Sequence, residues 1–215
     1  AFRRGDISRI FFYSTMNILC YKTHMKTVNR SYKYRFYPTQ DQKKQLGQSF
    51  GCCRFVYNHF LSLKKETYKK NQEKINYNKT SQLLTALKND KDHEWLQEVS
   101  SVVLQQSLRD LDKAFSNFFA GRARYPVFKK KGSEQSVRYT KSAFSFTHGI
   151  LKIAKNKDPL NIRWSRKFHG EPTSITISKD SADRYFVSFA VEEYVEELPK
   201  IEKRIGIDVG IKDLC

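Results

Sequence analysis

A chain of 215 residues has room for one large domain or two small ones around a buried core, and an aromatic content of 14%, with 16 Phe and 12 Tyr, excludes an intrinsically disordered chain. Its 40 Lys and Arg against 22 Asp and Glu leave a net charge of +18. A surplus of that size repels itself on a compact surface unless a polyanion neutralises it, so the charge selects nucleic acid as the partner class.

Residues 1–24 hold Arg3, Arg4, Arg9 and Lys22 against Asp6. They read as an extension upstream of a start at Met25, not as a signal peptide. No run approaches the ~20 apolar residues that a membrane-spanning helix needs, and Ile10-Phe-Phe-Tyr13 is far too short. From Tyr32 to Tyr37 aromatic and basic residues alternate, which predicts a strand with one apolar and one cationic face, stopped by Pro38. Thr39 and Gln42 form a capping-box pattern, and Leu46, Phe50, Cys53, Tyr57, Phe60 and Leu61 then recur at helical spacing. The helix runs from about Gln40 to Lys70.

A polar interval at Asn71–Asn78 precedes Thr80, after which Leu83, Leu84 and Leu87 share the face of a second, shorter helix. From Ser100 a third helix carries Leu104, Leu108, Leu111, Phe115, Phe118 and Phe119 to a C-terminal stop at Gly121. Beyond Gly121 the pattern becomes extended and basic, with Arg122, Arg124, Lys129, Lys130, Lys131 and Arg138 around Tyr125-Pro-Val-Phe128. Short strands follow at Ser136–Tyr139, Phe144–Phe146, Ile150–Ile153, Asn161–Trp164 and Ser174–Ser178. Turn signals stand at His148-Gly149 and Asp158-Pro159, and Lys179–Arg184 closes a hairpin onto Tyr185–Val191. Glu192–Glu197 reads as an acidic link, Pro199 as a boundary, and Arg204–Val209 as a new strand.

The four cysteines, Cys20, the adjacent pair Cys52-Cys53, and Cys215, show no zinc-knuckle spacing, and buried reduced thiols in a cytosolic protein are expected. The five histidines are scattered, His59 reads as a packed or surface residue, and no phosphate-binding loop or nucleophile elbow occurs. Neither a membrane nor a small-molecule substrate is expected as a partner. One candidate for chemistry remains, in Ile205-Gly206-Ile207-Asp208-Val209-Gly210-Ile211. Period two puts the branched residues on one face and Asp208 on the other, between two glycines, where a phosphate and a divalent metal could approach it unobstructed. Asp-x-Gly is also a common turn composition, and metal-assisted phosphodiester cleavage needs further carboxylates around one site.

Five ordered segments resemble those of the TnpB (OrfB) family of transposon-encoded proteins. They are Tyr34-Arg35-Phe36-Tyr37-Pro38, Cys53-Arg54-Phe55-Val56-Tyr57-Asn58, Leu104–Phe115, Tyr125-Pro126-Val127-Phe128-Lys129-Lys130-Lys131, and Gly206–Leu214. The resemblance implies an α+β architecture: a wedge-type β-barrel with an inserted three-helix, helix-turn-helix-like recognition lobe, followed by the first strand of an RNase H-like (RuvC) nuclease domain. The implied divisions are an upstream extension at 1–24, a first barrel strand at 25–39, the helical insert at 40–121, the remaining barrel at 122–198 and the start of the nuclease domain at 199–215. It also implies an RNA-guided, metal-dependent DNA endonuclease with double-stranded DNA and a transposon-derived guide RNA as partners, acting in a prokaryotic cytoplasm, nucleoid-associated when bound.

On that basis Asp208 would be a catalytic residue and a Mg²⁺ ligand. The other metal-binding carboxylates and a Zn²⁺ ribbon would lie further along, so these 215 residues are expected to bind nucleic acid without cleaving it. Tyr57, Asn58, Tyr77, Ser81, Gln105 and Arg109 offer polar and stacking groups to the flanking duplex, with helix–helix hydrogen bonding as the alternative for Tyr57 and Asn58. Arg122, Arg124, Lys129, Lys130, Lys131 and Arg138 suit phosphate contact, the alternative being a solvated basic loop. Competing readings of the whole are a nuclease-inactive DNA-binding regulator and a generic helix-turn-helix protein, the latter requiring a dimer and a palindromic site.

Overall fold

The computed structural model describes residues 25–196. The predicted Arg204–Val209 strand, Asp208, Cys20, Cys215 and the 1–24 extension lie outside the described residues. Residues Asn29–Glu192 form one compact unit, and the second unit's described residues are Met25–Val28 and Glu193–Glu196.

Strand β1 spans Met25–Phe36, longer at its start than the alternation indicates. Tyr34 and Phe36 are buried while Lys33 and Arg35 face solvent, as period two requires. Helix α1, Gln40–Asn71, starts at the expected capping box. Thr39 Oγ1 accepts from the Gln42 amide at 3.3 Å and Gln42 Oε1 accepts from the Thr39 amide at 3.1 Å. The Gln42 side-chain NH₂ also donates to the carbonyls of Asp158 and Pro159, both at 3.2 Å, so this cap ties the helix start to the loop before a later strand.

Helix α2, Tyr77–Lys88, begins three residues before Thr80 because Asn76 caps it, its Oδ1 accepting from the Lys79 amide at 3.0 Å. A 3₁₀ turn at Lys91–Gln97 drops Leu96 into the core. Helix α3, Ser101–Phe119, buries Val103, Leu104, Leu108 and Leu111 and ends at Gly121, whose φ of +69° suits glycine. Buried polar contacts lock α1 to α3: Ser107 Oγ donates to the Cys53 carbonyl at 2.8 Å, and Cys53 Sγ donates to the Val103 carbonyl at 3.4 Å. Both Cys52 and Cys53 are buried free thiols, as expected.

The remaining strands are β2 Gln135–Thr140, β3 Phe144–Thr147, β4 Ile150–Ile153, β5 Ile162–Arg163, β6 Pro172–Lys179 and β7 Tyr185–Glu196. Five of the strands form one curled sheet in the order β2-β6-β7-β1-β5, and β3 pairs with β4 as a separate hairpin. The β1–β5, β2–β6 and β6–β7 pairs are antiparallel. In sequence the three helices stand between β1 and β2, yet β1 lies beside β7 and β5 in the sheet. The helical block is therefore an insertion into the β architecture, and the described sheet is a half-barrel. An aromatic cluster fills it, with Phe189 packed on Tyr34 at 5.8 Å, Trp164 at 5.7 Å and Phe168 at 5.2 Å between ring centroids.

One expectation is corrected. Glu192, Glu193 and Glu196 do not form a link, because β7 continues through Glu196, and Glu197 lies outside the described residues. Charge alone does not end a strand whose Glu192 side chain stays in solvent, and the β-branched Val191 and Val195 sustain the two-residue alternation.

Candidate nucleic-acid interface

Two of the expected contact groups gather on separate surfaces, one on the helical insert and one on the segment that follows it. On the first, Tyr77 opens α2 with Ser81 one turn later, and Gln105 and Arg109 stand one turn apart on the exposed side of α3. The Arg109 guanidinium lies 4.5 Å from the centre of the Tyr77 ring, which joins the two pairs. Gln105 and Arg109 are exposed, Tyr77 and Ser81 half-buried. The result is an amide and a guanidinium on α3 beside an aromatic ring and a hydroxyl-bearing residue on α2, with Arg109 and Tyr77 at the junction.

The second surface is the basic segment after Gly121. It has no regular secondary structure between α3 and β2, and α1 holds it in place. The Asn58 carboxamide is hydrogen-bonded to both the carbonyl and the amide of Lys129. The Lys129 ammonium lies 4.3 Å over the Tyr57 ring, and the Lys65 ammonium lies 4.7 Å over Phe128. Tyr57 is buried, which pushes its phenol above the ordinary value, with Asp110 adding to the rise. Both Tyr57 and Asn58 are thus engaged with Lys129 of the basic segment, by contacts between a helix and a loop and not between helices.

Arg122, Arg124, Lys130 and Lys131 are exposed along that segment. Arg138, on β2, pairs with Asp110 of α3 at 3.3 Å. The sequence reading did not single out Lys64, Lys65 and Lys74, which sit over aromatic rings near the end of α3. Their only sequence signal is the abundance of lysine late in α1 and just beyond it, which is easily taken for a solvated face. Among the described residues no three His, Cys, Asp or Glu gather where they could hold a metal ion, and no helix is long and apolar enough to cross a membrane.

The described residues thus form a half-barrel with a helical insert, a polar face around Arg109 and Tyr77 on that insert, and a basic segment beside it. Residues 25–73 match the helix-turn-helix domain family named for OrfB of IS605. Those residues make up β1 and the uninterrupted α1. A protein of Streptomyces pristinaespiralis named "Putative RNA-guided DNA endonuclease" is 45% identical over 193 residues, covering 88% of this chain and 48% of that one. A protein of Escherichia coli K12 named "Putative RNA-guided DNA endonuclease InsQ" is 29% identical over 187 residues, covering 86% of this chain and 46% of that one. The "Virulence protein VsdF" of Salmonella dublin is 36% identical over 111 residues, covering 47% of this chain and 93% of that one. A chain in the cryo-EM structure of the Cas12f1–sgRNA–target DNA complex matches 80% of this chain and 49% of its own, with 11% identity and a TM-score of 0.39. The chain belongs to the TnpB/OrfB family. It spans about half the length of the two endonuclease-named relatives it matches.

Proposed function

We propose that this chain is the amino-terminal, nucleic-acid-binding part of an RNA-guided DNA endonuclease of a transposon, acting in a prokaryotic cytoplasm. In this reading the 40–121 insert reads duplex DNA flanking the target, through Tyr77, Ser81, Gln105 and Arg109. Arg122, Arg124, Lys129, Lys130, Lys131 and Arg138 hold the phosphates of a guide RNA or of its heteroduplex. Tyr57 and Asn58 act through Lys129 by setting the path of that segment. The observation that carries the reading is the meeting of exposed Arg109 with half-buried Tyr77, which brings a hydrogen-bonding and a stacking group together.

Asp208 would belong to a nuclease domain beginning near residue 199, as a catalytic residue and Mg²⁺ ligand. The metal would supply charge stabilisation at the scissile phosphate. A Zn²⁺ ribbon would lie further along such a parent, and the 215 residues alone are expected to bind without cutting.

Gel-shift titrations of the 215-residue chain test this, using duplexes with randomised flanks, with and without RNA transcribed from the transposon end. The expected result is salt-sensitive binding and no cleavage on adding Mg²⁺. Arg109→Ala should cost about 1–3 kcal/mol and relax the flanking preference, the signature of a base contact. Absence of binding at low salt would overturn the reading. A continued reading frame with no further Asp and Glu in RuvC-like strands would overturn the nuclease assignment of the parent.

A further inference from the structure

Where the end of α1, the start of the interval after it and the end of α3 come together, a cleft of about 500 Å³ opens to solvent. Its floor is aromatic. Phe115 and Phe119 lie nearly parallel, 24° apart with centroids at 6.3 Å, and Tyr125 stands almost perpendicular to Phe118 at 5.1 Å. Phe119 is 66% exposed, although it belongs to the helix stripe that elsewhere builds the core. Phe119 packs its inner edge on Phe115 and Phe118 and leaves most of its ring in solvent, an apolar surface suited to a contact.

The rim is cationic. Lys74 stands 5.2 Å from the centre of the Phe119 ring, and Lys65 5.3 Å from that of Tyr125. Of the acidic residues here, Asp112 is taken up by Lys64 at 3.0 Å. That leaves Lys65 and Lys74 against Glu73 among the charged residues of the lining. Flat rings with mobile ammonium groups at their faces match a nucleobase joined to its phosphate. A duplex keeps its base faces stacked and offers nothing to such a floor, whereas an unpaired base has a free face and an adjacent charge.

We propose that this cleft binds an unpaired nucleotide, its base stacked on Phe119 and its phosphate held by Lys74 and Lys65. The inference rests on the nucleic-acid reading above and extends it to a strand outside the duplex. In the free protein the Lys74 ammonium covers the Phe119 face. On binding, the base takes that face and the ammonium swings to the phosphate, exchanging a cation–π contact for a stack and an ion pair.

The test is a fluorescence titration of the 215-residue chain with short oligonucleotides carrying one 2-aminopurine, one arm DNA and the other RNA, with duplex gel shifts in parallel. Stacking should quench the probe, and the arm with the tighter binding identifies the strand. Phe119→Ala should weaken single-strand binding about tenfold and remove the quench, with duplex affinity unchanged, while Phe119→Trp restores both. Because Phe119 is 66% exposed, neither change disturbs the core, and thermal melting checks this. If Phe119→Ala leaves the quench and affinity intact while duplex binding persists, the cleft proposal fails alone. If neither single strands nor duplexes bind, the nucleic-acid reading fails with it. A dimer in light scattering that Phe119→Ala turns into a monomer would give the face to a second copy of the chain and overturn the proposal.

Discussion

Asn58 and Lys129, 71 residues apart, are joined like a rung between two strands: Asn58 Nδ2 donates to the Lys129 carbonyl at 3.0 Å, and the Lys129 amide donates to Asn58 Oδ1 at 2.8 Å. A side-chain amide in helix α1 thus completes the backbone hydrogen bonding of a segment that has no ladder of its own. Asn58→Ala removes both bonds and should lower stability by about 1–2 kcal/mol in urea unfolding. Asn58→Asp keeps the acceptor and should fall between the two. A midpoint for Asn58→Ala equal to that of the parent chain would show that the bonds are exchanged for water without loss.

Arg138 and Asp110 bridge β2 and α3 with both side chains partly in solvent. Such a pair contributes under about 1 kcal/mol. Arg138→Ala should therefore leave the unfolding midpoint nearly unchanged. In gel shifts at several salt concentrations it should reduce the salt dependence of nucleic-acid binding by about one phosphate contact. An unchanged slope would make Arg138 a strut between helix and sheet and nothing more.

Burial pushes the Cys52 thiol up to about 11 and that of its neighbour Cys53 higher still. Native protein at pH 8 should therefore react slowly with a thiol reagent at both positions, and rapidly after unfolding in urea. The sign of the pH dependence follows. Between the ordinary value near 9 and about 11 the unfolded chain releases the Cys52 proton while the folded chain retains it, so stability falls as pH rises through that window. Serine at both positions should flatten this part of the profile.

At the other end of the scale, burial and then the neighbouring His93 hold His59 below its ordinary value of 6.5. Its ring stacks on Phe55 at 5.6 Å. The unfolded chain takes up this proton more readily, so stability should fall as pH drops through 6.5 towards the lowered value. His59→Gln should reduce that acid sensitivity in urea titrations at pH 5 and pH 7. Equal sensitivity in the variant would place the titrating group elsewhere.

Much of the secondary structure was legible because its causes are local. The Thr39–Gln42 cap, the Leu46-to-Leu61 stripe and the Tyr34–Phe36 alternation each involve residues within a few positions of one another, and each appears where the pattern puts it. The early start of α2 belongs to the same class, since Asn76 is a capping residue in plain view. The glutamates before Pro199 misled for the opposite reason. Their charge is a property of the side chain, whereas strand continuation depends on backbone partners that composition does not reveal.

The ordered motifs from Tyr34 to Leu214 carried the family resemblance, and the surplus of lysine and arginine pointed to a polyanion as partner, because both are properties of the chain itself. Which cations meet which surfaces was decided only by tertiary structure. Asn58 with Lys129, Arg109 with Tyr77 and Lys74 with Phe119 all lie too far apart in sequence for periodicity to connect them. Their contacts exist because α1, α2 and α3 pack through Leu104, Leu108 and the Ser107–Cys53 bond. That packing leaves the end of the α3 stripe, Phe119, outside the core it was patterned to join.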